Sequence, residues 1–172
     1  MNVGRSIREL TFGVSDGLVS ILGLVIGVAS AGVENQIVIL SGVSGMLAAA
    51  ISMSSGVYLS NESEKLYLKS KKKISRIFNK SPIYDAVVIG ITFIISGFIP
   101  ILPFFFISSI YAIILSFVLT ASALFTFGYY RANYTKQNPI NSGLEMVFVS
   151  LLSACMGYLI GYLFRVLFLI WT

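Results

Sequence analysis

Histidine is absent from this chain of 172 residues, cysteine occurs once, and Asp, Glu, Lys and Arg together make up only 11% of it. Without histidine there is no imidazole base, no His-based catalytic triad and no zinc site of His ligands. The lone Cys155 excludes an internal disulfide or a CxxC pair and reads as a small apolar packing residue. No Gly-x-x-x-x-Gly-Lys loop is present to cradle a nucleotide phosphate, so transport, if any, is secondary rather than ATP-driven. These absences argue against an enzyme.

The scarcity of charge has a second meaning, since soluble domains carry roughly a quarter of charged residues. Here 56% of residues are hydrophobic and mean hydropathy is +0.89, which marks an integral membrane protein. Crossing roughly 30 Å of hydrocarbon takes about 20 helical residues, and five stretches qualify, at about 12–31, 37–59, 84–102, 109–130 and 144–164. The runs do not alternate in polarity as barrel strands would. In lipid the remaining way to satisfy the backbone is the helix. The expected fold is all-α, one domain over residues 1–172 built as a bundle of five transmembrane helices.

The net charge of +5 does not read as a nucleic-acid surface, because the basic residues sort by loop and form no groove interleaved with aromatics. Arg5, Arg8, Lys65, Lys69, Lys71, Lys72, Lys73, Arg76, Lys80, Arg131 and Lys136 fall on one side of a five-span arrangement, with Arg165 near the other. The positive-inside rule then places the N-terminus and the basic 61–81 linker in the cytoplasm and the C-terminus outside. Arg5, Arg8 and the Ala29-Ser30-Ala31 triplet imitate a secretory signal, but Asp16 and the many glycines do not suit a signal core.

Punctuation along the chain supports these spans. Ser6–Glu9 and Ser142–Glu145 both have capping-box spacing. Ser81-Pro82 reads as an N-cap with proline in the first helical position, which puts Asp85 where the helix dipole favours a negative charge. Pro100 and Pro103 are expected to break the third helix, and Tyr129-Tyr130-Arg131 reads as an interfacial anchor.

The anomaly is Asp16, an acid inside an otherwise apolar span. At 3.6 residues per turn, Gly13, Asp16, Ser20, Gly23, Gly27 and Ser30 share one side of the first helix, a small and polar face. On the second helix Gly42, Gly45, Ala49, Met53, Gly56 and Ser60 do the same. Continued beyond the membrane, that line reaches Glu64, whereas Glu62 points away and pairs with Lys65 at i,i+3. Small residues let helices approach closely, and an intramembrane acid usually faces protein or a watery path. The stripe is therefore a packing seam with a buried acid or one wall of an ion route. An interfacial cap at Asp16 is the plainer alternative.

The chemistry of the set is specific. A carboxylate binds a proton or a divalent cation on the same oxygens, so the two compete, which is the minimum needed for metal–proton exchange. Thioether sulfur favours late transition metals over magnesium or calcium. One Asp and one Met cannot fill a coordination sphere, so the ligand count favours a homodimer that doubles them.

FGVSDGLVSILGLVIGVA, GMLAAAISMSSGVYLSNESEK and GFIPILPF resemble, in order and over nearly the whole chain, the vacuolar iron transporter (CCC1-like) family. DGLVS at Asp16–Ser20 and SM-x-x-G-x-Y-x-S at Ser52–Ser60 are the most specific parts. The resemblance implies a five-helix protomer forming a homodimer, exchanging cytoplasmic ferrous iron, and often manganese, for protons. It assigns Asp16 and Met53 to the metal path and Glu64 to its cytoplasmic end. Ser20 lies beside that path, Glu62 at its entry, and Gly13, Gly23, Gly27, Gly42, Gly45 and Gly56 at helix contacts. No bound cofactor is expected beyond the transported metal. Two departures stand out: Val57 occupies the place of the family's Gly-Glu-Tyr glutamate, and the linker after the second helix is short and lysine-rich rather than rich in Glu and Met. The analogy with small prokaryotic members points to the plasma membrane. Two readings compete with an antiporter: a non-transporting scaffold whose Gly/Ser faces are packing seams, and a channel or carrier for another solute.

Overall fold

The computed structural model describes residues 3–71, 81–107 and 110–171. Its five helices are α1 (Val3–Ser30), α2 (Asn35–Ser70), α3 (Pro82–Ile101), α4 (Ile110–Thr135) and α5 (Pro139–Trp171), with a 3-10 turn at Leu102–Phe105. All five are long and apolar enough to cross a membrane, as the hydropathy of the sequence requires. The Lys72–Lys80 part of the basic linker lies outside the described residues.

Helix ends depart from the sequence reading in ways that matter for the site. Helix α1 begins at Val3, so Ser6–Glu9 lies inside a helix and is not its cap. Helix α5 begins at Pro139, and its N-terminal donors are met by Asn138 Oδ1, which accepts from the N–H of Ile140 at 3.0 Å and of Asn141 at 3.4 Å. An Asn followed by Pro wins over the later Ser142–Glu145 box, because proline at the first helical position lacks the N–H that would otherwise need a partner. At α3 the expected cap is in place: Ser81 Oγ accepts from the N–H of Tyr84 at 3.4 Å.

Pro100 does not stop α3, which runs on to Ile101 before Pro103 enters the 3-10 turn. Proline removes a donor, and this stretch is tied to its neighbour instead, the Pro100 carbonyl accepting from Ser116 Oγ of α4 at 2.7 Å. Helix α2 is the largest departure, with 36 residues where the apolar run alone predicted an end near Leu59. Good helix formers such as Glu62, Glu64, Lys65 and Leu66 carry it past the hydrophobic stretch, and no glycine or proline falls between Ser60 and Ser70.

Within the bundle α1 is central. Its Leu18, Leu22, Val25 and Ile26 are fully or nearly buried, and Ile21 and Val25 join Val38, Met46, Phe93 and Ile101 in the principal core. Lipid tails are as apolar as leucine, so close packing rather than water exclusion holds such helices together. Glycines make it possible: a Cβ on Gly27 would meet the Gly157 carbonyl oxygen at 3.2 Å, and one on Gly128 would meet that of Ser142 at 2.7 Å. At the far face, Gly32 turns the chain between α1 and α2 with φ +84°, a left-handed conformation open mainly to glycine. Asn35 closes that turn by donating from Nδ2 to the carbonyls of Phe104 at 2.9 Å and Ile107 at 2.7 Å. Cys155 is exposed on α5 rather than packed inside, because α5 turns only one narrow face, through Ser153, Ala154, Gly157 and Gly161, toward the bundle.

Candidate functional site

Asp16 stands several turns into α1, which starts at Val3, so the capping alternative falls: its backbone already lies in the helix interior. Its side chain is neither buried nor fully exposed. Among the described residues its carboxylate has no hydrogen-bonding or ionic partner. Ser20 does not supply one, because its hydroxyl donates to the Asp16 backbone carbonyl instead. An acid held in a membrane without a partner is costly, and such residues face protein cavities or water.

The small-residue stripe around it is shared between two neighbours. Gly13 seats against Thr92 and Ile89 of α3, and the adjacent Gly17 against Ser96 and Phe93. Farther along, Gly23 and Gly27 seat against Ser153 and Gly157 of α5, where Ser153 Oγ donates to the Val19 carbonyl at 2.7 Å. Asp16 and Ser20 fall between the two seams and are left on the open side. From Ser20 the opening continues as a groove between α1 and α5, about 410 Å³ in volume, floored by Gly23, Gly27 and Gly157 and walled by Leu24 and Met156.

Helix α2 completes the arrangement. A Cβ on Gly45 would meet Leu24 at 3.4 Å, and one on Gly42 would meet Val25 at 3.0 Å, which fixes the antiparallel register of α1 and α2. Moving from Leu24 back to Asp16 on α1 corresponds to moving from Gly45 on to Met53 on α2, since both helices rise about 1.5 Å per residue. Asp16 and Met53 therefore share a depth in the membrane. Met53 is half-buried against the principal core. Gly56 and Ser60 are exposed, and a Cβ on Gly56 would meet nothing within 4 Å, so within one protomer Gly56 is not a contact position. Beyond them Glu62 pairs with Lys65 at 3.6 Å, and Glu64 is exposed on the projecting part of α2.

Two further acids belong to this end of the molecule. Glu9 sits seven residues before Asp16 on the same side of α1, only 3% exposed, and accepts from Arg8 Nε at 3.1 Å and Nη2 at 2.6 Å. Its spacing from Asp16 was a legible signal, masked by the apparent capping box at Ser6. Asp85, 2% exposed in the first turn of α3, accepts from Asn61 Nδ2 of α2 at 2.8 Å. Among the described residues no three acidic or cysteine side chains group closely enough to enclose a metal ion.

The chain is thus a bundle of five membrane-spanning helices in which Asp16, without a side-chain partner among the described residues, lies on an open helix face. The VIT family model matches residues 7–77 and 68–162, and the chain belongs to that family. It is 25% identical to "Vacuolar iron transporter 1" of Arabidopsis thaliana, over 90% of this chain and 84% of that protein. An uncharacterized protein of Methanocaldococcus jannaschii is 29% identical over 89% of this chain and 87% of its own length. "Protein CCC1" of Saccharomyces cerevisiae is 25% identical over 84% of this chain and 65% of that protein. The alignment with the plant protein extends over 211 positions, more than the 172 residues available here, whereas the archaeal alignment takes 167. The two family matches overlap at residues 68–77, at the end of α2 and the start of the linker that follows it.

Proposed function

We propose that this protein is a divalent-metal/proton antiporter that moves ferrous iron, manganese or both out of the cytoplasm, working as a homodimer. The observation that carries the proposal is Asp16: inside the α1 span, without a side-chain partner among the described residues, on an open face and level with Met53. The relatives named as vacuolar iron transporters support iron as a substrate. Two copies meeting along this face bring two carboxylates and two thioethers to one place. Two protons released for one divalent ion make the exchange electroneutral, and one pH unit would then sustain about a hundredfold metal gradient.

In this scheme Glu64 and Glu62 on the projecting part of α2 receive the ion, Glu9 leads inward along α1, and Asp16 holds either metal or proton. Met53 adds a soft contact that disfavours magnesium and calcium. The basic residues put the N-terminal face in the cytoplasm, and the short linker points to a plasma-membrane protein of the small prokaryotic kind. Ferrous-iron and manganese flux into proteoliposomes under an imposed pH gradient tests this. Gradient-driven flux that disappears in Asp16→Asn supports the antiporter. A well-folded wild type that moves neither metal overturns it and leaves a scaffold in which the glycine contacts are seams alone.

A further inference from the structure

On the side of α1 away from that open face, a smaller cavity of about 190 Å³ lies between α1, α4 and α5, lined by Ser15, Val19, Leu124, Arg131, Glu145, Met146 and Val149. Its two ends differ in chemistry. Leu124 and Met146 form a buried apolar floor, and Val149, 46% exposed on α5, leaves one side open to lipid. At the other end stands Arg131. The sequence reads it as an interfacial anchor, yet its side chain is only 23% exposed and folds inward. Nη2 donates to Ser142 Oγ at 3.1 Å. Nε is buried and has no hydrogen-bond partner.

A buried N–H on a charged group without an acceptor costs more than an ordinary lost hydrogen bond, so this atom calls for an oxygen ligand. Guanidinium favours tetrahedral oxyanions, which it can bind through paired N–H groups. A purely anionic ligand fits poorly, because the Glu145 carboxylate lies 3.9 Å from Nη2 with its side chain 74% exposed. The rim thus carries one positive and one negative group and no net charge. The ligand that matches carries a phosphate and an ammonium a short bridge apart, with apolar chains that leave past Val149. Tyr129, Tyr130 and Tyr134 on the same end of α4 are 42%, 61% and 70% exposed, which puts the cavity at the depth where aromatic residues meet lipid head groups.

We propose that this cavity binds an aminophospholipid head group of the phosphoethanolamine type, its phosphate on the Arg131 guanidinium and its primary ammonium on the Glu145 carboxylate. Choline lacks the N–H donors that the carboxylate would accept from, and a glycerol head lacks the cation. The site stands on its own geometry and does not depend on the transport reading.

The test uses the full-length protein, stripped of lipid in micelles and supplied with phosphatidylethanolamine, phosphatidylcholine or phosphatidylglycerol bearing identical acyl chains. Lipid retention is read by native mass spectrometry and stabilisation by thermal unfolding. Phosphatidylethanolamine should be retained about fivefold or more over either other lipid, as expected for one charge-assisted hydrogen bond. Glu145→Gln, at an exposed position that does not threaten folding, should erase the preference over phosphatidylcholine, and Arg131→Gln should abolish the selective binding altogether. Equal retention of all three lipids by the wild type overturns the proposal, as does a preference for phosphatidylglycerol or one untouched by Glu145→Gln. Inorganic phosphate that stabilises as well as the lipid would identify a free-anion site instead and overturn the lipid assignment.

Discussion

Asp85 and Asp16 are both aspartates in transmembrane helices, and their surroundings could hardly differ more. Asp85 is 2% exposed, sits in the first turn of α3 where the helix dipole favours it, and is hydrogen-bonded by Asn61 at 2.8 Å. Asp16 sits in the helix interior on an open face, with no partner for its carboxylate among the described residues. An acid whose neighbours satisfy it serves the fold. One that the fold leaves unsatisfied keeps its oxygens for a ligand. The contrast marks Asp85 as a structural carboxylate and supports the exchange role proposed for Asp16.

Exchanging the two acids for neutral residues should split their roles. Asp16→Asn should abolish gradient-driven metal flux in proteoliposomes, because an amide neither exchanges the proton nor carries the charge that holds the cation, while thermal unfolding in micelles moves by no more than about 0.5 kcal/mol. Asp85→Ala should do the reverse at the level of the fold, destabilising the protein by about 2–3 kcal/mol because the Asn61 amide is left buried without its acceptor. A stability loss at Asp16 as large as that at Asp85 would erase the distinction. The same logic extends to the glycines. Gly17→Ala places a methyl against Ser96 and the Phe93 backbone and should cost about 1–3 kcal/mol by overpacking. Met53→Leu keeps the volume, so unfolding should shift by less than about 1.5 kcal/mol, but the ratio of iron to magnesium flux should fall with the loss of sulfur. The smallest effect is expected at Gly56→Ala, neutral or stabilising by up to about 1 kcal/mol in a protomer through helix propensity. A large loss there would reveal a neighbour seated on that face.

Much of this was legible beforehand, for physical reasons specific to each element. The five helices follow from run length against bilayer thickness, and the cap at Ser81 from a side chain that reaches its own backbone. Asp16 and Met53 could each be assigned to a face by helical periodicity. What periodicity does not encode is which neighbour a face meets. The stripe holding Asp16 reads as one surface, yet the fold divides it between α3 at Gly13 and α5 at Gly23 and Gly27, because the helices cross α1 at different heights. Cys155 was misplaced, and the inward fold of Arg131 missed, for the same reason: whether a side chain folds inward or faces lipid depends on the partner helix. The end of α2 was missed because hydropathy reports where the membrane stops, and the helix does not stop there.

Asn35, at the start of α2, and Asn61, nine residues before its end, both bind the α3 segment. Asn35 holds the turn that follows α3, and Asn61 holds the first turn of α3 itself. Along α2 they stand about 39 Å apart at 1.5 Å per residue, wider than the roughly 30 Å of hydrocarbon between them. A beam tethered at two such points to one neighbour cannot tilt alone. In the antiporter proposed above, rocking that opens a route past Asp16 to one side of the membrane and then the other would carry α2 and α3 together.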